Sequence, residues 1–418
     1  MVFRDLLADT LRALWAHKLR TFLTMFGIAW GIFSITLLVA AVNGLSTGLR
    51  HQNEAFGKDI MIVFPGNTSL QVGGTRAGRA LRWYERDVDP VTQQSPACKY
   101  VLPEIGNQIE IRSLNNSANL HITGSLPPFQ EVRSLKVAEG RFYNDADNAN
   151  ATRVAFLGSD AKKQLFGGLP AIGQTIWMKD VPYTVIGVME NKDQNNSYDG
   201  FDIRKVFVPY QAMIRDFQNL PPSPAGSIDH FIVVPRSLAL HDDCKRQIRV
   251  ALGLLHDFDP ADKEAAFIWD TIEDAQDLQM VFTGMEYFLG AVGLATLMLG
   301  GLGVMNVMLV AVRERTREIG VRKALGATRR SILTQFFIET IIVAFLSGVL
   351  GMVLSYGLCG LVDLLPMPPF FAGLLPTWSS GAISFALLAA IAVASAIYPA
   401  NRAASVDPIE ALRFEAGG

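Results

Sequence analysis

The sequence is poor in charged side chains. They make up 18% of the 418 residues, whereas a soluble protein usually carries about 25%. Half of the residues are hydrophobic, and the mean hydropathy is +0.25. This deficit of charge indicates membrane-spanning segments. The formal net charge of −2 points to no particular partner, because the charges are segregated by region.

Cysteine is also scarce. Three cysteines exclude a dense disulfide framework. Cys98 and Cys244 fall in a segment that we expect to be exported, so they either form a disulfide or remain two unpaired, buried thiols. Both alternatives stay open. Cys359 lies in an apolar stretch, where we expect it to contribute only packing.

Motifs for covalent chemistry are missing. A phosphate-binding loop needs a glycine-rich turn that leads to Gly-Lys-Ser/Thr. The Gly57-Lys58 pair is followed by Asp59, and Gln52 stands where the first glycine belongs. The sequence therefore predicts no ATPase within this chain. It shows no Ser/His/Asp hydrolase motif, and its basic residues do not form a nucleic-acid-binding pattern.

The histidines do not show the paired spacing of metal ligands. They are His17, His51, His121, His230, His241 and His256. The cluster His241-Asp242-Asp243-Cys244 is better explained by turn and helix-start residues than by a metal site. We therefore expect no metal site and no cofactor in this chain.

Long uncharged segments are abundant. Phe22–Val42 has 21 residues without a charge, about 31 Å as a helix, which is enough to cross a bilayer. A cleaved signal peptide would have a shorter apolar core behind a shorter basic leader, so we interpret this segment as a retained anchor. Further spans are predicted at Met285–Val312, Phe336–Leu361 and Gly381–Tyr398.

Flanking charges predict the orientation of these spans. Basic residues precede the first span, and the loop at 362–380 has Asp363 but no Lys or Arg. Lys and Arg are enriched in cytoplasmic loops. We therefore expect both termini and the loop at 313–332 to lie inside and residues 43–283 to lie outside, in a multi-pass protein of the bacterial inner membrane.

The predicted division of the chain follows from these spans. The pattern of residues 43–283 is typical of a soluble α/β domain. A β-hairpin is predicted from the runs Ile109–Arg112 and Leu120–Thr123. The expected segments are an amphipathic cytoplasmic helix at 1–21, spans at 22–42, 284–312, 333–361 and 381–400, the loops at 313–332 and 362–380, and a cytoplasmic tail at 401–418. Residues 3–15 carry the amphipathic pattern of a helix that lies on the membrane surface.

The loop at 313–332 is strongly basic. Between Arg313 and Arg330 it has seven Lys or Arg and two Glu. Glu318 and Arg322 are an i,i+4 pair in the favourable order. An apolar patch consists of Val321, Ala324 and Leu325. Gly326 is placed to end a short helix and Thr328 to cap the next one. The pattern fits a helix that docks a partner, or a basic loop held by anionic membrane lipid, and periodicity alone does not choose between them.

Polar residues also occur in or near the spans. Asn306 and Glu339 are functional candidates by default. We expect Asn306 to hydrogen-bond between helices and Glu339 to pair with Arg329 or Arg330. Structural roles are favoured over ion translocation, because no chain of acidic residues crosses the membrane. Small residues recur every four positions at Ser347, Gly351 and Ser355 and at Ala386, Ala390 and Ala394, which suits either packing within one chain or dimerisation.

The segment Gly303–Ala327 reads GVMNVMLVAVRERTREIGVRKALGA. It resembles the hallmark of the macrolide-exporter (MacB-type) and FtsX-like ABC transporter permeases. Further similar segments are Leu19–Gly27, Gly140–Phe142, Leu165–Gly167, Ile172–Gln174, Val185–Val188, Tyr398–Ala404 and Asp407–Leu412. The resemblance runs through the whole chain, and its 303–327 block is highly specific.

The resemblance implies an architecture. It implies an α-helical membrane protein with four transmembrane helices plus a large extracytoplasmic α/β domain between the first two. Within that domain it implies a porter-like part at 43–130 and 221–283 and an inserted strand-rich part at 131–220. It also implies a dimer with a second permease copy or a paralogue. In a cell with two membranes, the resemblance further implies a periplasmic adaptor and an outer-membrane channel as partners.

The resemblance also assigns the contact with the ATPase. The residues are Arg313, Glu314, Arg315, Arg317, Glu318, Ile319, Gly320, Arg322, Lys323, Leu325 and Gly326, helped by the N-terminal helix and by the tail at 402–413. The macrolide exporter has its ATPase fused at the N-terminus, whereas this chain begins at the amphipathic helix. A separate ABC ATPase subunit that binds ATP and Mg is therefore expected.

The function implied is the permease subunit of an ATP-driven exporter. It would work by mechanotransmission, with the loop passing the ATPase motion to the spans and the exported domain pushing substrate outward from the periplasm. Alternatives are a permease that releases lipoproteins and a signalling device that regulates cell-wall hydrolases. An exported enzyme on a membrane anchor is disfavoured, since no catalytic constellation is present.

Overall fold

The computed structural model describes residues 18–57, 59–194, 196–217 and 224–413. They fall into two compact units, divided after Leu49 and after Leu278. We call residues 18–49 and 279–413 the membrane unit, and residues 50–278 the sheet unit. The predicted amphipathic helix at 3–15 and the end of the tail lie outside the described residues.

The helices are, in chain order, α1 (Lys18–Phe56), α2 (Val88–Gln94), α3 (Phe129–Val132), α4 (Asp145–Ala149), α5 (Ser159–Phe166), α6 (Tyr210–Asp216), α7 (His241–His256), α8 (Thr271–Glu314), α9 (Thr316–Ala324), α10 (Arg329–Val362), α11 (Trp378–Ala404) and α12 (Pro408–Arg413). The strands are β1 (Met61–Pro65), β2 (Trp83–Tyr84), β3 (Cys98–Arg112), β4 (Ser117–Ser125), β5 (Val137–Gly140), β6 (Val154–Leu157), β7 (Thr175–Met178), β8 (Val181–Met189), β9 (Lys205–Pro209), β10 (Ser227–Ile228), β11 (His230–Pro235) and β12 (Ala266–Asp270).

Among the described residues, four helices are long and apolar enough to cross a membrane: α1, α8, α10 and α11. They contain the predicted spans but extend beyond them, because helical hydrogen bonding continues after the apolar stretch ends. The extension is greatest in α8, which has 44 residues, about 66 Å at 1.5 Å per residue. This helix therefore reaches well past a hydrocarbon core of about 30 Å.

Small residues bring the membrane helices close together. A Cβ added to Gly351 of α10 would lie 2.6 Å from the carbonyl oxygen of Ala29 in α1. Ser347 and Ser355, one turn to either side, are buried, and each hydroxyl donates to the carbonyl four residues earlier, at 2.7 Å. This stripe therefore packs within the chain. The second small stripe, Ala386, Ala390 and Ala394 on α11, is instead exposed.

The sheet unit is built on one path of paired strands, ordered β12-β1-β11-β3-β4-β9-β6-β8-β5, with β7 pairing β3 and β8. The predicted hairpin is confirmed as β3–β4, with Arg112 opposite Ser117. Both strands extend well beyond the predicted runs. Strands of the predicted porter-like and inserted parts also pair with each other, since β4 lies beside β9 and β3 beside β7.

Strand alternation places side chains in a core on each side of this sheet. In β1, Met61 and Val63 belong to one hydrophobic cluster and Ile62 to the other, because successive side chains point to opposite faces of a strand. The disulfide that the sequence left open is present: Cys98 at the start of β3 is bonded to Cys244 of α7, with their Cα atoms 5.1 Å apart.

Candidate partner-contact site

The loop at 313–332 forms a short helix, α9, with defined ends. It is separated from α8 at Arg315, whose φ and ψ are −97° and 12°. It ends at Ala324, and Gly326 two residues later has φ +99°. The Gly326 amide donates to the carbonyl of Lys323 and the Ala327 amide to that of Arg322, both at 3.0 Å. This is a Schellman ending, which favours glycine. Thr328 accepts from the Ser331 amide at 3.2 Å and caps α10, as predicted.

One face of α9 is buried against the helices around it. Ile319 is 3% exposed. It belongs to a hydrophobic cluster contributed by α8, α10 and α11, whose buried members are Val312, Ile332, Phe336, Ala400 and Ala403. The neighbouring Gly320 faces α12, because an added Cβ would lie 2.6 Å from the Cβ of Ala411. Only glycine permits this approach of the two helices.

A chain of polar contacts joins α9 to α10. The Arg322 Nη1 donates to Gln335 Oε1 at 2.8 Å. Gln335 Nε2 donates to Glu339 Oε1 at 3.4 Å, and Arg315 Nη1 lies 3.3 Å from Glu339 Oε2. The expected i,i+4 pair of Glu318 with Arg322 is therefore wrong, because Arg322 turns toward α10.

The expected partner of Glu339 is also wrong. Arg329 and Arg330 are exposed at the start of α10. They lie about 15 Å along the helix axis from Glu339 at 1.5 Å per residue. That separation is beyond the reach of the side chains, whereas Arg315 approaches Glu339 from the adjoining helix.

Lys323 caps a different helix. Its Nζ donates to the carbonyl oxygens of Ala404 and Val406, both at 2.7 Å. These carbonyls lie at the C-terminal end of α11, where an ammonium group satisfies unpaired acceptors and interacts favourably with the helix dipole. Lys323 therefore fastens α9 to the end of the last membrane helix.

The predicted contact residues thus divide into two sets. Those turned into the unit are Arg315, Ile319, Gly320, Arg322 and Lys323. Those exposed on the outside are Arg313, Glu314, Arg317, Glu318, Leu325 and Gly326. Leu325 is 84% exposed and Val321 is 42% exposed. Among the residues that the structure describes, an apolar patch with charges of both signs nearby is exposed on the outer face of α9.

Sequence reasoning missed the residues that hold α9 in place. Gln335, Ala411 and the carbonyl of Ala404 lie outside the loop. The one available signal was Gln335, a polar side chain one helical turn before Glu339 in an otherwise apolar stretch.

Asn306 does not make the expected contact. It is exposed on α8 and forms no hydrogen bond with any residue that the structure describes. The expected hydrogen bond between helices therefore stays a prediction for Asn306.

Within the described residues there is no group of three or more His, Cys, Asp or Glu placed to hold a metal ion. The cluster His241–Cys244 serves the fold. Cys244 is in the disulfide, and His241 Nε2 lies 2.7 Å from Asp270 Oδ2.

The sheet unit contains an ion cluster in which Arg133, Asp202 and Lys205 are buried and Lys192 is partly buried. Arg133 Nη2 donates to both carboxylate oxygens of Asp202, at 2.9 and 3.1 Å. Lys192 Nζ donates to Asp202 Oδ2 at 2.7 Å, and Lys205 Nζ lies 3.7 Å from its Oδ1. Burial raises the pKa of Asp202, but the charges of Arg133, Lys192 and Lys205 outweigh it and hold the pKa below its ordinary value.

This cluster lies at the point where the chain enters and leaves the sheet unit. The Arg133 guanidinium lies 4.6 Å from the ring centroid of Phe56, the last residue of α1. The Phe56 ring packs at 5.3 Å from Trp269, in the strand that leads into α8. Thr271, the first residue of α8, bonds the carbonyl of Ile60 through both its amide and its hydroxyl, at 3.1 and 2.7 Å. The ends of α1 and α8 are therefore joined within this unit.

Comparison with known families matches both parts of the chain. Residues 21–250 match the MacB-like periplasmic core domain, and residues 290–408 match the FtsX-like permease C-terminal domain. The chain is 31% identical to the uncharacterized ABC transporter permease YknZ of Bacillus subtilis, over 96% of each chain.

Longer relatives match as well. Identity is 30% to the macrolide export ATP-binding/permease protein MacB of Bdellovibrio bacteriovorus, over 96% of this chain and 60% of MacB. It is 32% to the pyoverdine export ATP-binding/permease protein PvdT of Pseudomonas entomophila, over 97% of this chain and 59% of PvdT. The chain thus spans about three fifths of these two relatives.

Solved structures of extracytoplasmic regions are also similar. The periplasmic region of MacB from Actinobacillus actinomycetemcomitans matches with 19% identity and a TM-score of 0.42, over 54% of this chain and 95% of that structure. The extracellular domain of YknZ from Gram-positive bacteria matches with 16% identity and a TM-score of 0.41, over 51% of this chain and 100% of that structure.

Proposed function

Since this chain belongs to the MacB/FtsX-like family of ABC transporter permeases, we propose that it is the membrane subunit of an ATP-driven exporter working by mechanotransmission. It performs no covalent chemistry. An ABC ATPase, expected to be a separate subunit, binds ATP and Mg and supplies the motion. The termini and α9 lie on the cytoplasmic side of the bacterial inner membrane, and the sheet unit lies outside.

The observation that carries the proposal is that α9 has one exposed face and one face bonded to the membrane helices. Its outer face presents Leu325 and Val321 with charges around them, which suits a partner that covers the apolar patch and pairs with the rim. Its inner face is fastened to α10 through Arg322 and to α11 through Lys323. A displacement of α9 by the ATPase is therefore passed to those membrane helices rather than absorbed by a flexible loop.

The motion continues along α8. This helix runs without interruption from Glu314 to Thr271, and Thr271 is bonded to Ile60 within the sheet unit. Val312 near the inner end of α8 belongs to the same cluster as Ile319. A push on α9 is thus passed along α8, a continuous helix whose first residue, Thr271, belongs to the sheet unit. The sheet unit then moves a substrate outward from the periplasm, with a periplasmic adaptor and an outer-membrane channel as partners.

The names of two relatives favour export over the alternatives, because one is a macrolide export protein and the other a pyoverdine export protein. Lipoprotein release and the regulation of cell-wall hydrolases remain alternative outputs of the same machinery. Activation of a hydrolase by the complex without efflux of any substrate would favour the signalling alternative.

The experiment replaces Leu325 by aspartate in the complex reconstituted with its ATPase. Burying a leucine side chain contributes about 1.5–3 kcal/mol, so we expect at least a tenfold loss of ATPase affinity and a matching loss of coupled ATP turnover. Leu364→Asp is the matched control, because Leu364 is 81% exposed and lies just after the C-terminal end of α10, at the opposite end of that helix from α9.

Both side chains are largely exposed, so neither substitution should disturb folding, and a difference between the two variants reports on ATPase contact. The proposal predicts that Leu364→Asp binds the ATPase like the wild type. If Leu325→Asp also retained wild-type affinity and turnover, the outer face of α9 would not be the ATPase contact.

A further inference from the structure

A cavity of about 430 Å³ lies beside the strand that ends the path of the sheet unit. Residues of α7, of the loop at 260–263, of β12 and of the first turn of α8 line it. Among the described strands, β12 pairs with β1 and with no other, so its second edge is uncovered. A concave site of this volume falls within the range of small-molecule sites, which is about 300–1,000 Å³.

The wall that α7 contributes is basic. Lys245, Arg246 and Arg249 line the cavity from this helix, and positions three and four apart lie on one helix face. Lys263 lines it from the loop. The acidic side chains in the lining are Asp242 and Glu273, so the cavity has an excess of positive charge.

Two of these cations are already paired within the chain. The Lys245 Nζ donates to Asp270 Oδ2 at 2.9 Å and also donates to Glu273. The Arg246 Nη2 donates to Asp243 Oδ1 at 2.6 Å. The charge of Glu273 is therefore balanced by Lys245 and does not oppose an anion in the cavity.

Arg249 is not paired in this way. Its Nη1 lies 3.5 Å from the backbone carbonyl oxygen of Asp262, beyond the usual range of a hydrogen bond, and it forms no ion pair with any residue that the structure describes. Burial lowers the pKa of Arg249, although the charges of Asp262 and Glu273 oppose that effect. A guanidinium has five N–H donors. This half-buried cation has thus lost water without gaining a carboxylate, which favours the binding of an anion.

An apolar surface completes the cavity. Phe267 in β12 is 56% exposed, and Pro260, Ala261 and Ile268 also line the site. An inorganic anion would leave this surface in contact with water. A cation next to an exposed aromatic ring instead suits a molecule that has both a charged group and an apolar body.

We propose that this cavity, which we call the Arg249 cavity, binds a small amphipathic organic anion, with Arg249 holding its carboxylate or phosphate group and Phe267 covering its apolar body. The planar guanidinium can donate two parallel hydrogen bonds to either group. The inference goes beyond the proposed function and does not depend on the contact between α9 and the ATPase.

The walls of the Arg249 cavity are fixed by the fold. The disulfide from Cys244 to Cys98 holds α7 against β3. On the loop side, the Asp262 carboxylate accepts from the amides of Ser69 and Leu70, at 2.6 and 2.9 Å. A preformed site reduces the conformational entropy that binding costs.

A second cavity of the sheet unit suits an anion less well. It has about 780 Å³ and is lined by Lys205, Asp199 and His121 among others. Its buried cation, Lys205, is already paired with Asp199, and Asp199 Oδ2 lies 3.3 Å from His121 Nε2. The positive charge there is used within the chain, whereas that of Arg249 is not.

Titration calorimetry on the full chain in lipid nanodiscs tests the proposal. The probes are para-butylbenzoate and para-butylphenyl phosphate, and empty nanodiscs correct for partition into lipid. Para-butylbenzamide has the same apolar body without the charge, and acetate has the charge without the body. We expect saturable binding of at least one probe and much weaker binding of the amide and of acetate. No saturable binding of either probe, or binding of para-butylbenzamide or acetate as tight as that of the probes, would overturn the proposal.

Variants assign the binding to the Arg249 cavity. Arg249→Gln should weaken binding of the probe about ten- to hundredfold, as expected for the loss of hydrogen bonds from a charged group, and Arg249→Lys should weaken it less because the charge remains. Arg76→Gln is the matched control, since Arg76 is exposed in the loop at 66–82 and the same charge is removed outside the cavity. An unchanged affinity in Arg249→Gln, or an equal loss in Arg76→Gln, would overturn the proposal.

A second variant guards against a folding defect. The melting temperature of Arg249→Gln should match that of the wild type, because the substitution removes only one long hydrogen bond. Phe267→Ala changes a largely exposed side chain and should weaken binding of the probe about tenfold through lost apolar contact. Wild-type affinity in Phe267→Ala would contradict the assigned position of the apolar body.

These measurements require neither ATP nor the ATPase. Absence of anion binding while Leu325→Asp still impairs ATPase association would reject this inference alone. Loss of the Leu325 effect with intact anion binding would reject the proposed coupling and leave the Arg249 cavity standing.

Discussion

Replacing Gly320 by alanine is expected to separate α9 from α12. The added Cβ would lie 2.6 Å from the Cβ of Ala411, so the helices must move apart by about 0.8 Å to reach an ordinary contact of 3.4 Å. Overpacking of this kind costs about 1–3 kcal/mol. Alanine in place of glycine within a helix returns about 1 kcal/mol. That gain stabilises α9 whether or not α12 is docked, so the loss of α12 docking itself should be about 1–3 kcal/mol.

The compensating change isolates the clash. Ala411→Gly removes the atom that Gly320→Ala would meet, so the double variant should recover the contact. The coupling free energy of the cycle should equal the overpacking cost of about 1–3 kcal/mol. Hydrogen exchange provides the assay, because the Ala411 amide donates to the Asp407 carbonyl at 2.9 Å and loses protection when α12 detaches.

Coupled ATP turnover of the reconstituted complex gives the functional counterpart, and Gly360→Ala is the control. A Cβ at Gly360 of α10 meets nothing within 4 Å, so that variant should behave like the wild type in both assays. A coupling energy below about 0.5 kcal/mol is indistinguishable from additivity. That result would refute the claim that Gly320 is required by the approach of α12.

Three further predictions concern the sheet unit, each measured on the purified full chain. Asp202→Asn should destabilise the unit by about 3–5 kcal/mol, because it leaves the Arg133 charge buried without its partner; a loss under 1 kcal/mol in denaturant unfolding would contradict this. Replacing Cys98 and Cys244 together by serine should lower the free energy of unfolding by about 2–5 kcal/mol. The variant should melt at a lower temperature than the wild type, and adding reductant should not lower its melting temperature further. Burial raises the pKa of Asp262, but hydrogen bonds from the amides of residues 69 and 70 outweigh it and lower the pKa to about 2. Its contribution to stability is therefore present above about pH 4 and lost as pH falls toward 2, and Asp262→Asn should flatten that part of the pH profile.

The fold was largely predictable where the signal is local. Hydropathy over about twenty residues locates a span whatever surrounds it, because the hydrocarbon thickness sets the length. The spans at Phe22–Val42 and Met285–Val312 were found this way. Hydropathy does not locate helix ends, because α8 continues into polar sequence as far as Thr271.

The candidate site was predictable only as a segment. Sequence reasoning identified the loop, the turn at Gly326 and the cap at Thr328, since all three depend on neighbours within a few residues. It did not identify which residues face inward. Arg322 bonds a residue 13 positions away and Lys323 one 81 positions away, and nothing in the periodicity of a nine-residue helix indicates those partners.

By itself, the sequence determined the membrane class, the number of spans and the location of the basic loop, because these depend on composition within short windows. The tertiary structure alone decided how the loop is used. In the folded protein, Arg322 and Lys323 face inward and hydrogen-bond to α10 and α11, whereas Leu325 remains exposed. The tertiary structure also paired Glu339 with Arg315, closed the Cys98–Cys244 bridge and left Asn306 exposed on α8. Each of these outcomes depends on how helices and strands from distant parts of the chain pack together, which residue spacing along one segment does not encode.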